Sequence, residues 1–166
     1  MKSEEVLPAL FSEVFNNKKP IRFVLNGSSM YPVLRTGDIL TVKPIDFNEA
    51  EIGDILAYQD ISTKKILVHR MVRREKNSGY DIILTAAEAG QRLKYDQPLV
   101  PDKCLIARVV DIERGTDRID LTRPHNILKA KIRVYALIYF HILVRLHRKI
   151  YALIDKLSRR EIDRVL

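Results

Sequence analysis

Two side chains in the first half of the sequence, Ser29 and His69, are of the types that catalyse acyl transfer. Ser29 lies in the turn-forming segment 26–32, and His69 lies within the apolar segment 68–72. A serine hydroxyl is a poor nucleophile at neutral pH and needs a base within hydrogen-bond reach. A histidine can accept that proton and later return it to a leaving amine. The two residues therefore form a candidate nucleophile and base, although a lone strand histidine is also typical of a buried core.

Short β-branched segments bounded by turn residues surround both positions. The pairs Gly37-Asp38 and Gly53-Asp54 each predict a turn that leads into a strand. The predicted strands are 21–25, 40–43, 55–58, 66–72, 80–84 and 104–110, with 119–122 as a further edge strand. Many short strands without intervening helices predict a mainly β, antiparallel domain. Because successive strand residues point to opposite faces, Arg70 is expected to face solvent.

Helices are predicted at both ends of the chain. Residues 3–15 predict a short N-terminal helix with Ser3 as its cap, and a longer C-terminal helix is expected from about 126 to Ser158 or beyond. Apolar residues of the longer helix recur at spacings of four and three: Ile132, Ala136, Tyr139, Leu143, Leu146, Ile150, Leu153 and Leu157. This pattern predicts an amphipathic helix. The sequence thus divides into a β domain with its N-terminal helix, 1–122, and a helical tail, 123–166.

The net charge is concentrated in the tail. Residues 1–122 contain 18 Lys+Arg and 18 Asp+Glu, whereas residues 123–166 contain 11 and 3. A basic amphipathic helix favours an anionic membrane surface, here through residues 126–166. The alternatives are packing on the β domain and pairing as a homodimer along the recurring apolar residues, and nucleic acid is the least favoured partner. The charge-free run 134–144 is shorter than the about 20 residues that span a bilayer.

Three features of the sequence together indicate a family: the segment 29–32, of the form Ser-Met-x-Pro, the two Gly-Asp turns, and the strand histidine. In these features the sequence resembles the signal peptidase I and LexA superfamily of serine peptidases. The resemblance covers roughly residues 21 to 115. In that family the nucleophile is the serine immediately before the methionine, which implies Ser29 here. The base is a lysine in bacterial signal peptidases and in LexA-like repressors. It is a histidine in the archaeal and endoplasmic reticulum type, which His69 matches.

The resemblance implies a LexA/signal-peptidase-like antiparallel β fold and a serine endopeptidase that cleaves a peptide or precursor protein with small residues before the scissile bond. An acid should orient the histidine. The histidine type usually carries a Thr-Lys-Gly-Asp box, but here residues 85–88 read Thr-Ala-Ala-Glu. Glu88 occupies the position of the box aspartate, and Asp96 is the candidate for a later acid, unless it is only a turn residue. The altered box leaves a catalytically impaired peptide-binding module, membrane-associated through the tail, as the alternative function.

The resemblance also indicates which residues support the nucleophile. Ser28, Met30 and Pro32 flank Ser29 as expected oxyanion or supporting residues. Ser28 does not directly replace the side-chain donor that is missing at Gly27. No metal or organic cofactor is implied, and Cys104 is the only cysteine, which excludes a disulfide within the chain. Without an export signal or a predicted spanning helix, the expected location is cytoplasmic, peripheral on the inner face of the membrane.

Overall fold

The computed structural model describes residues 15, 18–77, 79–89, 95–101 and 104–165, with side chains up to Tyr151. Within this part of the chain, seven strands form one sheet: β1 (Ile21–Val24), β2 (Ile39–Pro44), β3 (Ile55–Gln59), β4 (Ile66–Asn77), β5 (Tyr80–Ala86), β6 (Ile106–Arg114) and β7 (Asp117–Asp120). A short 3-10 helix, Phe47–Glu49, lies between β2 and β3, and a long helix α1 (Pro124–Val165) follows β7.

The strand order is β1-β2-β6-β3-β4-β5, with β7 pairing with β6. Every pairing between these strands is antiparallel. The predicted mainly antiparallel β domain and the long C-terminal helix are therefore confirmed. The predicted N-terminal helix, residues 3–15, lies almost wholly outside the described residues.

The central strand β3 is buried on both faces of the sheet. Its alternate side chains enter two hydrophobic clusters, with Ile55 and Ala57 in one and Leu56 and Tyr58 in the other. The first cluster consists of Ile21, Met30, Leu34, Leu40, Val42, Ile55, Ala57, Val68, Ala107, Val109 and Ile112. The second consists of Ala50, Leu56, Tyr58, Met71, Ile83, Leu99 and Ile106. A strand covered on both faces holds its neighbours β4 and β6 in a fixed register.

The two Gly-Asp turns use one structural device. In each, the aspartate Oδ2 accepts a 2.8 Å hydrogen bond from the backbone N–H three residues earlier. Each carboxylate is then bound by an arginine of β6: Asp38 by Arg114, at 2.8 and 2.7 Å, and Asp54 by Arg108, at 2.8 Å. The hydrogen bond from Arg114 holds the pKa of Asp38 below its usual value, whereas burial raises the pKa of Asp54. These contacts tie both turns to the middle of the sheet.

The first three turns of α1 pack against the second Gly-Asp turn. Gly53 has a φ of +100°, and a Cβ added to it would lie 3.2 Å from the backbone nitrogen of Lys131. Both the conformation and the space therefore favour glycine. Contacts group residues 1–134 into one unit and 135–166 into another. No helix in the described part of the chain combines the length and apolar character needed to cross a bilayer.

Candidate active site

Ser29 lies in the connection between β1 and β2, beside a buried methionine. Met30 is 1% exposed and belongs to the first cluster, whereas Ser29 is exposed. The Met30 carbonyl accepts a 2.9 Å hydrogen bond from the N–H of Leu34, which closes the turn after the serine. The methionine thus anchors the loop in the core and leaves the serine hydroxyl accessible at its surface.

The carbonyl of Ser29 is held from a second direction. It accepts hydrogen bonds from the backbone N–H groups of Glu88 and Ala89, at 2.9 and 2.8 Å. These residues follow β5, which lies at the opposite end of the strand order from β1. The loop that contains Ser29 is therefore fixed by the backbone of residues that are distant in the sequence.

His69 reaches the serine from β4. It pairs in register with Leu56 of β3, on the face of the sheet that carries the second cluster. The imidazole is buried, with Nε2 3.0 Å from Ser29 Oγ and Nδ1 2.7 Å from Asp96 Oδ2. Ser29 and His69 are 40 positions apart in the sequence, and His69 and Asp96 are 27 apart. The fold thus brings the three side chains into one continuous chain of hydrogen bonds.

Asp96 is positioned by β5 and by two hydroxyl groups. Its backbone N–H donates to the carbonyl of Thr85 at 2.9 Å. Its Oδ2 accepts hydrogen bonds from Thr85 Oγ1 at 2.8 Å and from the Tyr58 hydroxyl at 3.0 Å, in addition to the contact with His69. One carboxylate oxygen therefore receives three side-chain hydrogen bonds.

These contacts determine the charge state of Asp96. Burial opposes its ionisation, but the hydrogen bond and charge of His69, with the hydroxyls of Thr85 and Tyr58, outweigh burial and lower the pKa of Asp96. Burial also raises the pKa of Tyr58, so its hydroxyl stays protonated. The arrangement can therefore place an ionised carboxylate beside one imidazole nitrogen and a serine hydroxyl beside the other.

Several known proteins with similar sequences are catalytic subunits of signal peptidase complexes. The chain is 37% identical over 75 residues to the signal peptidase complex catalytic subunit SEC11 of Scheffersomyces stipitis, 38% over 78 residues to that of Candida albicans, and 41% over 68 residues to that of Debaryomyces hansenii. The chain is a distant homologue of SEC11. The aligned segments cover 45%, 46% and 40% of this chain and 44%, 45% and 39% of the relatives, so less than half of each relative is matched.

Homology to SEC11 confirms the predicted resemblance to the histidine-type signal peptidases of the endoplasmic reticulum. No family model matches the chain. No solved structure is significantly similar to it.

Glu88, the second candidate acid, makes different contacts from Asp96. Its buried carboxylate pairs with the guanidinium of Arg70 and lies 3.3 Å from Nη1 of Arg133 in α1. Arg70 also donates to the carbonyl of Gly53. In the described part of the chain, the contacts of the Glu88 carboxylate are thus with arginines, while Asp96 contacts the imidazole.

The prediction that Arg70 faces solvent is wrong, because this residue is only 5% exposed. Strand alternation does place it on the face opposite His69. That face, however, is covered near Arg70 by the Gly53 turn and by the start of α1, including Asn126 and Ala130, which line a cavity of about 130 Å³ with it. Burial of the arginine is made possible by its ion pair with Glu88.

The other predicted supporting residues, Ser28 and Pro32, lie in the same loop as Ser29. Ser28 is exposed, and its carbonyl accepts a 3.0 Å hydrogen bond from the N–H of Tyr31. Pro32 is exposed and follows a cis peptide bond. The N–H of Ser29 donates to no acceptor among the residues that the structure describes. In the same part of the chain, no group of three or more His, Cys, Asp or Glu side chains is arranged to hold a metal ion.

Tyr58 was not predicted as a site residue. Its hydroxyl contacts Asp96 Oδ2 at 3.0 Å, Thr85 Oγ1 at 2.9 Å and His69 Nδ1 at 3.4 Å. From the sequence, a tyrosine in a buried strand suggests only core packing, and the aromatic ring does pack in the second cluster. One property of tyrosine does indicate a polar neighbour: a buried phenol needs a hydrogen-bond partner, so a polar group is expected near it.

A Tyr58→Phe variant is expected to slow acylation of Ser29 about tenfold, because Asp96 loses one of the hydrogen bonds that orient it and stabilise its charge. The ring and its packing are retained, so folding should be little affected. The measurement is the second-order rate constant for labelling by a fluorophosphonate. Tyr80→Phe, at a 64% exposed tyrosine, is the matched control and should react at the wild-type rate. Equal rates for all three proteins would exclude a positioning role for Tyr58.

Proposed function

We propose that this SEC11 homologue is a serine endopeptidase that cleaves a peptide or a precursor protein. The observation that carries the proposal is the chain of hydrogen bonds from Ser29 Oγ to His69 Nε2, at 3.0 Å, and from His69 Nδ1 to Asp96 Oδ2, at 2.7 Å. These are the distances that proton transfer from a serine to a histidine requires. Homology to a catalytic subunit of a signal peptidase supports the same reaction class.

In the proposed mechanism, Ser29 Oγ attacks the carbonyl carbon of the scissile peptide bond while His69 Nε2 accepts its proton. His69 then donates this proton to the leaving amine, and the peptide bond breaks to leave an acyl ester on Ser29. Water, deprotonated by the same imidazole, hydrolyses the ester and restores the serine. Asp96 remains ionised throughout and stabilises the imidazolium at each step.

The tetrahedral intermediate carries a negative oxygen that needs hydrogen-bond donors. We assign the backbone N–H of Ser29 as one donor, since no acceptor for it lies within the described part of the chain. Gly27 cannot supply a side-chain donor, and Ser28 contributes its carbonyl to the turn through Tyr31. The oxyanion is thus proposed to bind mainly to backbone groups.

We further propose that the fold is of the LexA and signal-peptidase kind and that the substrate binds as an extended segment. Ser29 follows β1, and the residues that hold its carbonyl follow β5, the two strands at the ends of the main strand order. An extended peptide can add backbone hydrogen bonds to such strand edges. Small residues before the scissile bond would let the peptide backbone approach the serine.

Labelling with a fluorophosphonate, mapped by mass spectrometry of peptides, tests the proposal. The wild type should be labelled once, at Ser29, because His69 Nε2 lies 3.0 Å from its hydroxyl and can accept its proton. Ser28→Ala is the matched control because it removes the neighbouring hydroxyl, and it should still be labelled, whereas Ser29→Ala should not. Equal labelling of both variants would reject Ser29 as the nucleophile. Absence of labelling in folded wild type would favour a peptide-binding module instead.

A further inference from the structure

An apolar stripe on α1 is exposed. Between residues 135 and 151, six large apolar side chains are 47 to 65% exposed and recur at spacings of three and four. The stripe consists of Tyr135, Tyr139, Ile142, Leu143, Leu146 and Ile150. At 3.6 residues per turn these positions fall within a sector of about 100°. We call these six residues the apolar stripe; an exposed apolar surface of this kind marks an interaction site.

The same part of the helix carries positive charge and no compensating negative charge. Arg145, Arg148 and Lys149 lie outside the sector of the apolar stripe, and all three are exposed. From residue 124 to residue 154 the sequence contains six Lys or Arg and neither Asp nor Glu. A partner with both an apolar layer and negative charge would therefore match this surface.

The charge distinguishes two possible occupants of the apolar stripe. A second copy of the chain would match the apolar stripe, but pairing two such helices would bring their cations together without acidic partners. The surface of an anionic bilayer supplies both the apolar layer and the negative charge. Aromatic side chains such as Tyr135 and Tyr139 also favour the membrane interface, because one end is apolar and the other polar.

We propose that residues 135–151 of α1 bind the surface of an anionic membrane, with the apolar stripe in the boundary between headgroups and acyl chains and the cations at the lipid phosphates. The helix lies in the plane of the interface and does not span it. This inference goes beyond the proposed peptidase activity and does not depend on it.

The full-length protein is mixed with vesicles of phosphatidylcholine, with or without about one third phosphatidylglycerol, and bound protein is sedimented. Wild type should bind the anionic vesicles and bind the neutral vesicles far less. The triple variant Arg145→Gln, Arg148→Gln, Lys149→Gln should bind anionic vesicles on the order of 100-fold more weakly, since each cation contributes a factor of about five. High salt should also weaken the binding of the wild type to anionic vesicles.

The matched control removes three exposed lysines from the β domain, as Lys43→Gln, Lys65→Gln, Lys76→Gln, and should bind like wild type. A second variant, Leu143→Gln with Leu146→Gln, should reduce binding at least about tenfold. Because glutamine favours helices, this variant should keep its circular dichroism spectrum.

Binding that does not distinguish anionic from neutral vesicles, or that falls equally in the lysine control, would overturn the proposal. Failure to bind, with a dimer in sedimentation velocity that Leu143→Gln with Leu146→Gln disrupts, would also overturn it and assign the apolar stripe to a second copy. Ser29→Ala should bind vesicles like wild type. A loss of peptidase activity can therefore be distinguished from a loss of membrane binding.

Discussion

Replacing Asp96 with asparagine is expected to slow acylation of Ser29 about 10⁴-fold. In the wild type, Asp96 accepts a hydrogen bond from the N–H at His69 Nδ1, which leaves Nε2 free to accept the proton of Ser29. An asparagine of the same size can donate its amide hydrogen to Nδ1, which places the imidazole proton on Nε2. The imidazole then faces the serine hydroxyl as a donor and cannot act as its base.

The rate constant for fluorophosphonate labelling measures this loss. Asp81→Asn is a suitable control, because Asp81 is a half-buried carboxylate of β5 whose ion pair with Arg74 is long, at 3.9 Å. The control should react at the wild-type rate. A rate within tenfold of wild type for Asp96→Asn would remove Asp96 from the mechanism and leave a pair of Ser29 and His69.

The Asp96→Asn variant should also change how the free energy of unfolding depends on pH. The pKa of Asp96 is lower in the folded protein than its ordinary value, so its ionised form stabilises the fold. This stabilisation is present above the ordinary carboxyl pKa and is lost as pH falls through the lower, folded pKa. Urea unfolding of the wild type should therefore show an acid-dependent loss that is smaller in Asp96→Asn.

The sequence was sufficient to identify the strands, because their signals are local. Alternation of β-branched residues between turn residues predicts strands. The order of the strands is not local. β6 pairs with β2 and β3, which precede it by more than 45 residues, and no pattern within β6 specifies these partners.

The misread residues are those whose surroundings come from distant parts of the chain. Strand alternation places Arg70 opposite His69, but whether that face meets water depends on α1, which begins more than 50 residues later. Tyr58 likewise has the appearance of a core residue until Asp96 is brought beside it. Secondary structure and side-chain alternation follow from local sequence, whereas burial and hydrogen-bond partners follow from topology.

Replacing Glu88 with glutamine is expected to lower the free energy of unfolding by roughly 3–5 kcal/mol. The side chains of Glu88 and Arg70 are only 8% and 6% exposed, so the variant would leave the Arg70 charge buried without its carboxylate. Equilibrium unfolding in urea measures the loss. Glu113→Gln is the matched control: its ion pair with Arg22 has side chains 28% and 57% exposed, and its removal should cost about 1 kcal/mol or less.

A double variant can show whether the loss of stability arises from the unpaired charge of Arg70 or from the loss of the ion pair itself. If the penalty arises from an unpaired buried charge, removing both charges, as Arg70→Met with Glu88→Leu, should restore much of the stability that Glu88→Gln loses. The backbone N–H of Glu88 still donates to the Ser29 carbonyl in both variants, so the labelling of Ser29 should persist in the folded protein. A double variant less stable than Glu88→Gln would show instead that the ion pair itself stabilises the fold, by joining β4 to the segment that holds the Ser29 carbonyl.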